Sequence, residues 1–355
     1  MNITNQKTKV MKTQILGLFI LTIIFLSSCS KDEALISSDA NDLFAVRSNG
    51  NDMLVKVVGN TESKVIILFV HGGPGEGSWI FEKNIEQLKT HYAIALWDQG
   101  NSGSTQGNNS GVFTVERYLD DLGKVVKVLK TRYDDGFKFY LMGHSCGGGF
   151  SAAYLAEANN QDDFQGFINI DGAHKLKSVK DYQLIELKKR ADIEIAKGNT
   201  DPIWQEALDF CESHNEITTI ADFSALSLLC GDATAKIDSV NLFTLIDPTT
   251  FFGNYSFFSY LSNWSSLWAK EDYLKEIFWE TDYSDKLSQI TIPTVAIWGG
   301  FDVNCSKQLM GEDYINLVGS SDKTLVICEH SGHYPFVTEP VEFTNAVVFF
   351  IERTK

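Results

Sequence analysis

The sequence predicts an α/β protein: one mostly parallel central sheet flanked by helices and split by a helical insertion. Three observations carry this. Apolar runs alternate with helical patterns from residue 43 to 170 and again from 292 to 353, the order that βαβ units impose. Val65–Val70 is an unbroken apolar run rich in β-branched residues, as expected of a strand buried on both faces. Between the two blocks, over 173–288, the alternation stops. Its resumption implies one sheet with an insertion after the sixth strand, not two folds in tandem.

Taken in order, Leu43–Arg47 and Met53–Val58 read as two strands joined through the turn-rich Ser48-Asn49-Gly50-Asn51. Val65–Val70 is the third strand, 79–89 a helix and Tyr92–Trp97 the fourth strand. Residues 115–132 carry Val115, Leu119, Leu122, Val125, Val126 and Leu129 at helical intervals. Phe137–Met142 is a strand, 146–158 a helix of small residues and Phe164–Ile170 a strand. Beyond the insertion, with its helical stretches at 179–197 and 202–212, come a strand at Ile292–Trp298 and a helix at 306–317. A strand at Thr324–Cys328 and a helix at 340–353 complete the chain. The core is thus expected at 43–172 and 289–355, and the cap at 173–288.

Hydrophobic residues at 44% and aromatics at 12% suffice for a large core, and a net charge of −16 argues against a nucleic-acid partner. The N-terminus departs from this acidic balance. Lys7, Lys9 and Lys12 precede an apolar run from Ile15 to Leu26. Twelve residues span about 18 Å as a helix, short of a hydrocarbon core of roughly 30 Å. Residues 1–28 therefore read as a secretory signal, with an uncleaved anchor as the alternative. Leu26-Ser27-Ser28-Cys29 resembles the lipobox of bacterial lipoproteins. That resemblance implies lipidation at Cys29, a tether over 29–42 and a place in the bacterial cell envelope, on the periplasmic or the outer surface. Ser30-Lys31-Asp32-Glu33 is similar to the acidic export tag of surface lipoproteins.

Gly143-His144-Ser145-Cys146-Gly147 is a G-x-S-x-G sequence between an expected strand and an expected helix. That context lifts a serine hydroxyl above the sheet edge and presents helix N-terminal amides beside it. Ser145 is therefore the candidate nucleophile, the alternative being an ordinary helix cap. His71-Gly72-Gly73-Pro74-Gly75 follows a strand directly. An acyl-transfer site needs two amide donors for the oxyanion, and the candidates are those of Cys146 and Gly73; the alternative is a plain turn. His71 is expected to brace this loop. Ser331-Gly332-His333 follows the last strand and offers His333 as base, with His330 the competitor. Asp302, leaving its strand through Gly299-Gly300, is the candidate orienting acid, with Asp171 the rival. This chemistry calls for no cofactor and no metal.

In these motifs and in the order Ser, Asp, His, the chain resembles the α/β-hydrolase superfamily over about 43–172 and 289–355. His-Gly-Gly-Pro-Gly with Trp97-Asp98-Gln99 resembles its prolyl aminopeptidase (proline iminopeptidase) branch. There Trp-Asp-Gln is followed by Arg-Gly-Ser-Gly, where this chain has Gly100-Asn101-Ser102-Gly103. The branch also tends to carry Gly-Gly-Ser-Trp-Gly at the nucleophile, whereas His144 and Cys146 are closer to the general esterase pattern. The resemblance implies a serine hydrolase acting on small molecules or short peptides, as an aminopeptidase or as a carboxylester hydrolase. The third reading is a non-catalytic binding protein on the same scaffold.

In the cap, acidic residues outnumber basic ones. They either hold a substrate ammonium or are simply solvated. An aromatic run from Phe251 to Trp268 either packs cap on core or lines an apolar pocket. Besides Cys29 there are five cysteines. Disulfides are expected for Cys305, just beyond Asp302, with Cys328, which ends the neighbouring strand, and for Cys211 with Cys230 in the cap.

Overall fold

The computed structural model describes residues 39–107, 113–133, 136–238 and 257–355. The signal, Cys29 and the N-terminal part of the tether fall outside these residues, as do Phe251, Phe252 and Tyr255 of the aromatic run. Strands β1 (Asp39–Ser48) and β2 (Asn51–Asn60) form an antiparallel hairpin, with Ser48 opposite Asn51. Asn49 and Gly50 both have positive φ, 49° and 81°, the two-residue turn whose twist matches that of paired strands. The hairpin begins earlier than the sequence suggests. Asp39–Asp42, expected in the tether, pair with Val57–Asn60, and Asp42 accepts a hydrogen bond from Arg132 Nη2 at 2.6 Å.

The next strands are β3 (Val65–Val70), β4 (Ala93–Trp97), the two-residue β5 (Gln106–Gly107), β6 (Lys138–His144) and β7 (Gly166–Ile170). β8 (Thr294–Gly299) and β9 (Lys323–Cys328) complete the sheet. The spatial order is β1-β2-β4-β3-β6-β7-β8-β9, with β5 paired to β2. From β4 to β9 all neighbours are parallel. All active-loop candidates therefore leave the sheet at its carboxyl edge, where ligands bind in open α/β sheets.

Each parallel strand feeds two cores. Along β3, Ile66, Leu68 and Val70 join one apolar cluster and Val65, Ile67 and Phe69 the other. The first face is covered by the helices Val115–Arg132 and Cys146–Leu155, the second by Glu86–His91 and Pro340–Thr354. The region expected as one helix over 79–89 is a 3₁₀ turn, Trp79–Phe81, followed by Glu86–His91.

Between β7 and β8 the chain forms helices Leu176–Ala196, Pro202–Ser213 and Ile220–Ile237, then Phe257–Trp268 and Glu271–Lys275. Their apolar residues, among them Leu187, Trp204 and Phe223, and Phe278 in the π-helical turn Glu276–Glu280 that follows, belong to the same cluster as the first face of the sheet. Among the described residues no helix is long and apolar enough to cross a membrane.

The expected disulfides are absent: Cys146, Cys211, Cys230, Cys305 and Cys328 are all buried and free. β8 and β9 are neighbours, with Gly299 opposite Cys328, but Cys328 packs in the second core and Cys305 in the first. The two thiols thus lie on opposite faces of the sheet. Cys211 and Cys230 share a core, yet the Cys211 thiol is turned to the carbonyl of Leu184 at 3.6 Å.

Candidate active site

Ser145 sits at the junction of β6 and the helix Cys146–Leu155 with φ 54° and ψ −126°. Its side chain makes no capping hydrogen bond, so it is not an ordinary helix cap. The flanking glycines are steric requirements. A Cβ on Gly147 would stand 2.3 Å from the carbonyl oxygens of Val70 and His71, and one on Gly143 would stand 2.6 Å from that of Gly147. The strained turn is held by Ser145 N–H donating to Ile170 O at 2.9 Å. Cys146 opens the helix, where an amide has no intrahelical acceptor and the dipole is positive.

Facing this turn is the loop after β3. Gly73 has φ 111°, and a Cβ there would lie 2.7 Å from Gly75 N. His71 is fully buried and braces the loop. Its Nδ1 hydrogen bonds Gly72 O at 2.8 Å, while its Nε2 accepts Gln99 N–H at 3.3 Å. Burial lowers its pKa to about 4, which keeps the ring neutral in this role. The Trp-Asp-Gln sequence thereby acquires a physical reading. Gln99 Nε2 donates to His71 O at 2.8 Å, and Asp98 accepts the amides of Ser78 and Ser104, each at 2.8 Å. These residues tie the loop after β4 to the glycine loop. Gly100 stands where the aminopeptidase motif carries arginine, and the next residue, Asn101, at the place of that motif's glycine, is buried with φ 58°.

His333 Nδ1 donates to Asp302 Oδ2 at 2.8 Å, and both residues are buried. Asp302 Oδ1 accepts the amides of Asn304 at 2.7 Å and Cys305 at 3.0 Å, which fixes the carboxylate. Burial disfavours the imidazolium, but the neighbouring Asp302 charge and hydrogen bond, then Glu76 and Asp238, outweigh it and hold His333 above its ordinary value. The competitor His330 is exposed on the surface. His144 Nε2 donates to the carbonyl of His333 at 2.8 Å, so the residue beside the serine also anchors the histidine backbone.

Asp171, the rival acid, is fully buried beside this pair with φ 45°. Its Oδ1 accepts Gly299 N–H at 2.8 Å. Burial first, then the Asp302 charge, drive its carboxyl far above the usual range. Two adjacent buried acids do not both ionise, and Asp302 is the one bonded to the imidazole. Asp171 is therefore the acid that its surroundings push toward the protonated form.

Gly73, Ser145, Cys146 and His333 open onto one cavity of about 610 Å³, which Val179, Phe223, Phe278 and Trp268 line on the cap side. Trp268 Nε1 donates to Pro74 O at 3.2 Å, tying the cap to the glycine loop. Besides the exposed Asp232, two cavity carboxylates went unnoticed in the sequence. Glu76 follows the glycine loop, and Asp238 ends the helix Ile220–Ile237. Asp238 Oδ1 accepts Gly332 N–H at 2.6 Å, and burial raises its pKa to about 6. Neither residue belongs to a motif. The glutamate directly after His-Gly-Gly-Pro-Gly was the available signal.

A curated relative, the proline iminopeptidase of Flavobacterium johnsoniae, is 23% identical over 306 residues, covering 82% of this chain and 91% of its own. Among solved structures, the proline iminopeptidase of Mycobacterium smegmatis superposes with a TM-score of 0.57 at 15% identity, over 88% of this chain and 98% of its own. The esterase EaEST of Exiguobacterium antarcticum gives a TM-score of 0.54 at 18% identity, over 88% and 100%. At these identities the likeness to solved structures shows the fold. Residues 65–340 match the family model described as alpha/beta hydrolase fold, and the chain, a hydrolase by that kinship, belongs to the alpha/beta hydrolase fold family.

Proposed function

We propose that the protein is a serine hydrolase working through an acyl-enzyme, and that it is an aminopeptidase of the prolyl type on small peptides. The observation that carries the chemistry is His333, bonded to the buried Asp302, opening with Ser145 and Gly73 onto one cavity. His333 Nε2 takes the proton of Ser145 as Oγ attacks the scissile carbonyl. The amides of Gly73 and Cys146 receive the oxyanion. His333 returns the proton to the leaving amine, then deprotonates a water that attacks the acyl-enzyme and releases Ser145.

For the substrate, support comes from the cavity's charge. Glu76, Asp232 and Asp238 line it, and no lysine or arginine is among its described lining residues. A cationic amino terminus suits such a surface better than a substrate carboxylate would. The proline iminopeptidase relatives are consistent with this. The second reading is a carboxylester hydrolase on small apolar esters, favoured by the apolar wall of Phe223, Phe278 and Trp268 and by the esterase neighbour. Turnover of proline 4-nitroanilide against that of 4-nitrophenyl butyrate tests the two, and an enzyme active on the ester alone overturns the peptidase reading.

We infer from residues 1–29 that the enzyme is lipid-anchored through Cys29 in the bacterial envelope. Metabolic labelling with an alkynyl fatty acid should mark the parent and not Cys29→Ser. Labelling that persists in the variant, or is absent from the parent, overturns this.

A further inference from the structure

We propose that Glu76 is the cation subsite of the enzyme: its free carboxylate oxygen receives the α-ammonium of the substrate's N-terminal residue. This rests on the aminopeptidase reading above and adds to it a residue on the core, beside the oxyanion loop.

The loop places Glu76 firmly. Its carbonyl accepts Gly103 N–H at 2.9 Å, and its Oε1 accepts the hydroxyl of Tyr334 at 3.2 Å. Oε2 is buried and has no hydrogen-bond partner. An oxygen in that state is costly in a folded protein unless something completes it. A Cβ built on Gly72 would lie 3.3 Å from Oε2 and 2.8 Å from Ser145 Cβ. The unpartnered oxygen and the nucleophile therefore flank the same point.

That nearness has a chemical meaning. In an aminopeptidase substrate the ammonium is two bonds from the carbonyl carbon under attack, about 2.5 Å away by ordinary covalent geometry. A carboxylate that selects a free amino terminus must then stand beside the serine, not at the cavity mouth. Asp232 is exposed, and Asp238 is already engaged with Gly332 N–H. Of these three, Glu76 is the one that leaves a buried carboxylate oxygen without a hydrogen-bond partner, and that oxygen lies beside Ser145. Burial raises its pKa, opposed by His333 and the Tyr334 hydroxyl; an arriving ammonium adds the missing counter-charge. With the amine on Glu76, the rest of the N-terminal residue faces Phe223, Phe278 and Trp268.

The test compares the full-length enzyme with Glu76→Gln on three substrates: proline 4-nitroanilide, its N-acetyl derivative and 4-nitrophenyl butyrate. The parent should prefer the free amine to the acetylated substrate. In Glu76→Gln the ratio of kcat/KM for proline nitroanilide to that for the ester should fall about 30-fold, as loss of a charge-assisted contact implies. The preference for the free amine should collapse with it. If the parent turns over only the ester, the aminopeptidase reading fails and takes this proposal with it. If the parent cleaves the nitroanilide and the variant keeps its free-amine preference, the Glu76 assignment alone is overturned. An equal fall on all three substrates means Glu76 acts through His333, which also overturns it. Fluorophosphonate labelling reports whether the variant site is assembled; should Glu76→Gln not fold, Glu76→Ala is read by the same ratio.

Discussion

The two walls of the cavity are built on different terms. On the sheet side, each candidate residue leaves the carboxyl end of a strand and is held by backbone hydrogen bonds. Ser145 is tied to Ile170, Asp302 to the amides of Asn304 and Cys305, and His333 to His144. On the cap side, Val179, Phe223 and Phe278 project from helices whose other apolar residues continue the core. One wall fixes geometry to a fraction of an ångström because chemistry depends on it. The other presents shape and apolar area, which bind without reacting. Changes on the sheet wall should therefore act on kcat, and changes on the cap wall on KM.

The largest effect is expected at the nucleophile. Ser145→Ala should lower kcat on any substrate by roughly 10⁴- to 10⁶-fold and abolish fluorophosphonate labelling. Labelling that survives would move the nucleophile elsewhere. Next come the two buried acids. Asp302→Asn should cost about 10⁴-fold through loss of the imidazole's ionised partner. Asp171→Asn, replacing an acid pushed toward its protonated form by a neutral amide, should cost at most about 10-fold, since one hydrogen bond is worth about 1 kcal/mol. A reversal of these two magnitudes would transfer the orienting role to Asp171.

The pH profile follows from the raised pKa of His333. Only the neutral imidazole accepts the serine proton, so kcat/KM should fall as pH drops through a value above 6.5. Asp302→Asn removes the charge that raises it, so the acid limb should move to lower pH in residual-rate measurements. A parent limb below 6.5 would contradict the electrostatics of the pair. The cap wall should give a smaller and different response. Phe223→Ala should raise KM by about 10-fold for an apolar substrate, from lost burial of roughly 1–2 kcal/mol, and change kcat by less than about 3-fold. A loss confined to kcat would erase the distinction between the walls.

The same division decides what could be read before the structure. Gly143, Gly147 and Gly73 announce themselves because each occupies a place where a side chain would collide with backbone, and such places lie at fixed offsets from strands. His333 and Asp302 were legible for the same reason, each following a strand by a short glycine-bearing turn. Glu76 and Asp238 were not. A carboxylate becomes part of a cavity only when separate segments meet around it, and no local pattern encodes that meeting. The cysteines show the limit from the other side. The neighbourhood of β8 and β9 was foreseen, but the faces on which Cys305 and Cys328 lie were not.

By itself, then, the sequence determined the parallel sheet, its interruption, and the strand ends from which the candidate serine, acid and base leave its edge. These follow from periodicity and from turns with few backbone solutions. Tertiary structure alone decided which of two acids is bonded to the imidazole, which thiols stay apart and which carboxylate oxygen lies buried beside Ser145. Those outcomes depend on burial and on distances between residues far apart in the chain, and both exist only once the core has closed.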